Sequence, residues 1–184
     1  LEFRRVLFRS RQYATEKLAE SRQADATEQS HLEYFLKLAE GAEARKFGRE
    51  QVAWYDRLDA EMDNLRAAMN RSQEREIGLR LVAALGWFFS ERNHTKEGSV
   101  WLERAIAANL EASLPVRIKA LRYAAVMASN LVDVERVIDL CAKVQTLASL
   151  TNNRLESAWA LCILGYCNAY SGGFDAERDI GLLE

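Results

Sequence analysis

The sequence predicts an all-α protein, an α-solenoid of antiparallel helix pairs preceded by connecting helices. Three observations carry this expectation. The chain has 184 residues, nine of them Gly and one Pro, and it is rich in Ala, Leu, Glu and Arg, which favour helix. Apolar residues recur three and four positions apart in segment after segment, which is the helical period. From residue 75 onward a pattern of small and apolar residues returns after 39 and then 40 residues, within the range of repeats built from two helices.

The elements follow in chain order. Residues 1–10 (LEFRRVLFRS) are expected to be a cloning or sequencing scar, because Leu7-Phe8-Arg9-Ser10 is what CTC TTC CGA TCT encodes, the end of a common sequencing adapter. They stand outside the fold argument. Residues 11–21 (RQYATEKLAES) hold Tyr13, Leu18 and alanines without a breaker, which suits a short helix. A polar connection through Ala24 and Asp25 leads to a second helix in which Leu32, Phe35, Leu36 and Ala39 share a face. Gly48 punctuates its end. A third helix is expected from about Glu50 to Ser72, where Trp54, Leu58, Met62, Leu65 and Met69 form one continuous stripe facing a core. Residues 24–72 are thus read as connecting helices.

Residues 75–184 are read as about three helix pairs. Gly86, Ala125 and Gly165 align as small anchors, surrounded by Val82, Leu85 and Phe89, then Leu121, Ala124 and Ala128, then Leu161 and Leu164. Eight residues after each anchor stands a polar or turn residue: His94, Asp133 and Gly173. Second helices follow, with Gly98, Leu102 and Ala105 matched by Val137, Cys141 and Val144. The small anchors are expected to let the two helices of a pair approach closely. In the third unit the second helix fits only with a slip of one residue, using Ala176, Ile180 and Leu183. The chain stops at Glu184 inside an apparent helix, so the array is expected to be truncated there.

These residues resemble the tetratricopeptide (TPR) motif, in the longer form found in bacterial STAND-type signalling ATPases and their LuxR-type and antibiotic-regulator relatives. RQYATEKLAES at 11–21 is similar to the last helix of the winged-helix module that follows the NB-ARC nucleotide-binding domain there. WYDRLDAEMDNLRAAM at 54–69 is similar to the helix that connects it to the repeats, and WLERAIA at 101–107 to the second helix of a first repeat. The resemblance implies a sensor arm, non-catalytic in this chain, in a regulator whose ATPase and effector domains lie upstream. It implies intramolecular contact with that ATPase. ATP or ADP would be bound only there, since this chain has no G-x-x-x-x-G-K-[ST] loop to cradle phosphates. The reading from a different class is a free-standing TPR scaffold that mediates protein–protein interaction.

Composition narrows the chemistry. Without residues 1–10 the chain carries 22 basic and 26 acidic residues, so no large basic face is expected to contact nucleic acid. No apolar run approaches the roughly 20 residues that cross a bilayer. Three cysteines without an export signal suit free thiols in a reducing compartment, and a cytoplasmic location is expected. Cys141, Cys162 and Cys167 lack metal-site or C-x-x-C spacing and are read as small core residues. His94 is read as a turn residue, and Glu61 with Asn64 as a solvated helix face or a polar clamp onto the neighbouring helix. In a TPR pair the first-helix residues three before, one after and four after the anchor face the inner, concave surface. The resemblance therefore places Trp87 and Ser90, then Arg122 and Val126, then Tyr166 in one groove, with Arg80, Lys119 and Trp159 one turn earlier. Aromatics beside cations on such a surface suit a protein segment or small inducer as partner.

Overall fold

A computed structural model describes residues 24–171, and among them the chain forms eight helices and no strand. In order these are α1 (Ala24–Glu43), α2 (Gln51–Ala60), α3 (Met62–Arg71), α4 (Glu76–Glu91), α5 (Thr95–Ala108), α6 (Leu114–Asn130), α7 (Val134–Leu150) and α8 (Arg154–Ser171). The readings of residues 1–10, of residues 11–21 and of the second helix of the third pair lie outside the described residues.

From α4 on, each helix packs against the next: α4 on α5, α5 on α6, α6 on α7 and α7 on α8. The first helices also meet directly, α4 with α6 and α6 with α8. The same scheme extends upstream, where α1 packs on α3 and α4 and α3 packs on α4. The segment read as connecting helices therefore joins the same layered core. Helix α4 is enclosed by these neighbours, and Gly78, Leu79 and all of Leu81–Phe89 are buried. Its sequence GLRLVAALGWFF is apolar on nearly every side, the pattern of a helix wrapped by others. Burial of Phe88 and Phe89 contributes about 2–3 kcal/mol each.

Three helix ends share one turn. Asn93, Val132 and Asn152 adopt φ of 63°, 60° and 51°, the left-handed conformation that closes a helix. The following N–H reaches back across the last turn each time: His94 to Phe89 O, Asp133 to Ala128 O and Asn153 to Ala148 O, at 3.0, 3.0 and 2.9 Å. That same residue then opens the next helix. The Asp133 carboxylate accepts from Arg136 N–H and the Asn153 side-chain oxygen from Glu156 N–H, satisfying first-turn donors. His94 and Asp133 thus stand at turns, as the sequence predicts. The recurrence at Asn153 was not visible in the repeat alignment.

Two expectations are corrected. The helix expected from Glu50 to Ser72 is two helices, bent at Glu61, whose φ and ψ are −97° and 4°. Main-chain bonding continues across the bend through Leu65 N–H to Glu61 O at 2.9 Å, and the Asn64 amide donates to the Glu61 carboxylate at 2.7 Å. The bend leaves Tyr55 of α2 against Trp87 of α4 while Met62, Leu65 and Met69 of α3 are buried. The second correction concerns the anchors. A Cβ at Gly86 would lie 2.3 Å from Tyr123 of α6, so this glycine serves contact between first helices of successive pairs. Close approach within the pair falls to Gly98, where a Cβ would lie 2.7 Å from Phe89 Cβ.

Polar links tie these layers. Arg66 of α3 donates from Nε and one Nη to both oxygens of Glu97 of α5, at 2.7 and 2.8 Å. The guanidinium holds the Glu97 carboxyl below the usual carboxylate range. No helix among the described residues is long and apolar enough to cross a membrane.

Candidate functional site

The predicted inner residues sit on the first helices α4, α6 and α8, but three of them are occupied from within. Arg80 pairs with Glu40 of α1 at 2.7 Å. Lys119 pairs with Glu43 at the end of α1. Trp87, expected to be open, is only 5% exposed and lies 5.1 Å from the ring of Tyr55. Its indole Nε1 has no hydrogen-bond partner among the described residues. Burial pushes the Tyr55 phenol above its ordinary range. The reason is chain path: α1 and α2 lie over the first part of the surface that was expected to be open. Just beyond, the Lys46 ammonium donates to the Tyr123 hydroxyl at 3.1 Å.

Arg122 is likewise corrected, since it is buried rather than exposed. Its Nε lies 2.7 Å from the Glu156 carboxylate of α8; the approach is off the hydrogen-bond direction, so this is a charge pair. The guanidinium also covers Tyr123, 4.3 Å from its centroid, and lies 5.7 Å from the Trp159 ring. Ser90 accepts from the Asn130 amide at 3.0 Å, and Val126 is half-buried against the core. Trp159 and Tyr166 remain exposed, at 46% and 54%. What is left of the predicted groove is a cavity of about 350 Å³ lined by Thr95, Ser129, Asn130, Val132, Tyr166 and Cys167. The Ser129 hydroxyl is buried there without a hydrogen-bond partner among the described residues.

The cysteine reading holds for two residues of three. Cys141 and Cys167 are buried, and burial pushes the Cys141 thiol up to about 12. Cys162 is exposed because it shares an outward face of α8 with Leu155, Trp159 and Tyr166, which no described helix covers. No group of three His, Cys, Asp or Glu among the described residues could hold a metal ion.

A further concavity lies elsewhere among the described residues. A groove of about 640 Å³ runs between α5 and α7 with α6 as its floor. Ile106, Leu121, Ala124, Leu140 and Leu147 supply apolar lining, and Arg117, Arg136 and Lys143 supply cations. Arg136 is bound to Glu103 across the groove at 2.5 Å, and Lys143 to Asp139 at 2.6 Å. Sequence reasoning missed this site because it considered only the inner, concave face of the first helices. The available signal was on α6, where Arg117, Leu121 and Ala124 are four and three residues apart and so share a face.

Comparison with known proteins gives a direction. The chain is 31% identical, over an alignment of 183 residues covering 94% of it, to a protein of Mycobacterium bovis and to proteins of two strains of Mycobacterium tuberculosis. Their names assign them provisionally to the HTH-type transcriptional regulators. The chain spans about a fifth of the length of these relatives, 20% in each case. No family model and no solved structure matches it. This chain, all-helical among its described residues, is thus similar over 94% of its length to part of proteins named as transcriptional regulators.

Proposed function

We propose that the chain is a TPR-like α-solenoid serving as the sensor arm of a STAND-type ATPase regulator of transcription, acting by binding and not by catalysis. The observation that carries the reading is its likeness to proteins named as transcriptional regulators and about five times its length. The packing supports it as well, since α4 and α6 each meet both their own partner and the next first helix, as stacked pairs require.

In this reading the arm is cytoplasmic, contacts neither DNA nor membrane, and touches the ATPase of the same polypeptide. A protein segment or small inducer would enter beside Val126, Ser129, Trp159 and Tyr166. Arg80, Trp87 and Lys119 act one step removed, because α1 and α2 already cover them. Release of that cover would extend the groove.

The test uses the longer protein and this chain in parallel. Calorimetry should detect ATP or ADP binding to the longer protein and none to this chain. Deleting the residues equivalent to 24–171 should abolish inducer-dependent transcription while leaving nucleotide binding. Micromolar ATP affinity in this chain, or normal induction after the deletion, would sink the proposal.

A further inference from the structure

The groove between α5 and α7 has features that the regulator reading does not use. Arg117 stands in the first turn of α6 and is half-buried along the wall. Its guanidinium makes no hydrogen bond or ion pair with any described residue, in contrast to Arg136 and Lys143, whose charges are engaged by Glu103 and Asp139. The lining therefore holds three cations and two carboxylates, and the single uncompensated charge is the Arg117 guanidinium.

The layout along the groove is set by direction. Helix α6 runs opposite to α5, since Gly98 near the start of α5 touches Met127 near the end of α6. The short connection at Asp133 likewise turns α7 back along α6. Arg117 consequently lies at the end where α5 finishes and where α7 contributes Thr146 and Leu147. The Arg136–Glu103 bridge closes the other end. Between them Leu121 and Ala124 form an apolar floor, about 10 Å long from Arg117 to Ala124 at 1.5 Å per residue. A volume of about 640 Å³ is within the range of small-molecule sites.

We propose that this groove binds a small amphipathic monocarboxylate, its head on Arg117 and its apolar body along Leu121, Ala124, Leu140 and Leu147. Charge complementarity selects the head. One planar guanidinium matches one carboxylate in two parallel hydrogen bonds, while Glu103 and Asp139 oppose a second negative charge. The apolar lining selects the body. The occupant touches α5 and α7 at once, and so bridges two successive pairs. The proposal stands independently of the regulator reading and can be tested on the chain alone.

Decanoate below its micellar concentration is the probe, titrated calorimetrically into the full chain, with decanol and acetate as controls for body and head. Decanoate should bind one to one and saturate, acetate should not bind measurably, and decanol should bind more weakly than decanoate. Arg117→Gln should weaken decanoate at least tenfold and leave decanol unchanged. Since the Arg117 side chain makes no bond with any described residue, the variant should keep the wild-type circular dichroism spectrum and melting temperature. A Leu121→Met variant, which keeps the charge and roughly the volume, should retain decanoate within about threefold. Failure of decanoate to saturate, or equal affinity of wild type and Arg117→Gln, overturns the proposal. So does a shift in association state with Arg117→Glu when decanoate does not bind, because the groove would then be an interface between copies.

Discussion

Arg122 of α6 and Glu156 of α8 face each other across the contact between two successive first helices, 2.7 Å apart and nearly shut off from water. The side chains are 11% and 16% exposed, so solvent screens the pair little. Removing one partner of a buried pair leaves an uncompensated charge, a loss of about 3–5 kcal/mol. Arg122→Glu is worse placed still, since it sets two carboxylates together. It should lower the urea midpoint by an amount corresponding to about 3 kcal/mol or more, and the swap Arg122→Glu with Glu156→Arg should recover part of it. An unchanged midpoint in the single variant would show that the pair does not hold α6 to α8.

Gly86 and Gly165 occupy equivalent anchor positions yet should respond in opposite ways. A Cβ at Gly86 would fall 2.6 Å from Tyr123 Cβ, so the α4–α6 spacing itself must change. Gly86→Ala is expected to cost about 1–3 kcal/mol, the usual range for overpacking. At Gly165 no described residue lies within 4 Å of such a Cβ, and alanine there should stabilise this chain by up to about 1 kcal/mol through helix propensity. Thermal melts of the two variants decide the matter; equal effects would remove the distinction between covered and uncovered anchors.

Val132 holds the left-handed turn position that Asn takes at 93 and 152. A β-branched residue is poorly suited to that conformation, which costs a non-glycine residue roughly 1–2 kcal/mol. Its side chain is 68% exposed and contributes little packing in return. Val132→Gly and Val132→Asn should therefore raise stability by about 1 kcal/mol, read as a higher urea midpoint with an unchanged slope. A loss of stability would mean that Val132 packs in a way its exposure does not suggest.

The helical pairs were legible because their signal is local. Leu32, Phe35, Leu36 and Ala39 share a face by spacing alone, and all are buried. The turn residues His94 and Asp133 were legible by position within the period. The bend at Glu61 was not, because the stripe from Leu58 to Met69 reads the same on a straight helix or a bent one, and no Gly or Pro marks it. The candidate groove was the least legible part. Whether Trp87 is open depends on where α1 and α2 fold back, and no spacing within α4 carries that information. The same holds for Arg122, whose burial is decided by Glu156, 34 residues later.

The thiols give a chemical check and a pH dependence. Cys162 is exposed while Cys141 and Cys167 are buried, so iodoacetamide at pH 8 should label one thiol quickly in the native chain and three after denaturation. The Cys141 thiol is raised from 9.0 to about 12 by burial. An unfolded chain releases that proton near 9, whereas the folded chain retains it until about 12. The unfolded state then binds fewer protons, and stability falls as pH rises through that window, by up to about 1.4 kcal/mol per pH unit. This contribution is fully present below pH 9. Denaturation midpoints measured from pH 8 to 10.5 should decline, and Cys141→Ala should flatten the decline. An identical slope in that variant would assign the alkaline loss to other groups.

Trp87 and Tyr166 were expected to share one groove, and their surroundings now separate their roles. Trp87 is 5% exposed, wedged between Tyr55 and Phe88, so its truncation opens a cavity in the most enclosed helix. Trp87→Ala should cost about 3–5 kcal/mol, the range for large aromatics in cores, and any loss of partner binding it causes would follow from that. Tyr166 is 54% exposed at the edge of the cavity that also contains Ser129. Tyr166→Ala should shift stability by no more than about 0.5 kcal/mol, as at other surface positions. An exposed tyrosine beside a partly polar cavity has the area and hydroxyl that anchor interfaces. On the proposed reading, Tyr166→Ala in the longer protein should reduce induced transcription while Tyr166→Phe, which keeps the ring, retains most of it. Normal induction with both Tyr166→Ala and Trp159→Ala would move the search for a partner away from the inner face of the first helices, toward the groove that Arg117 lines.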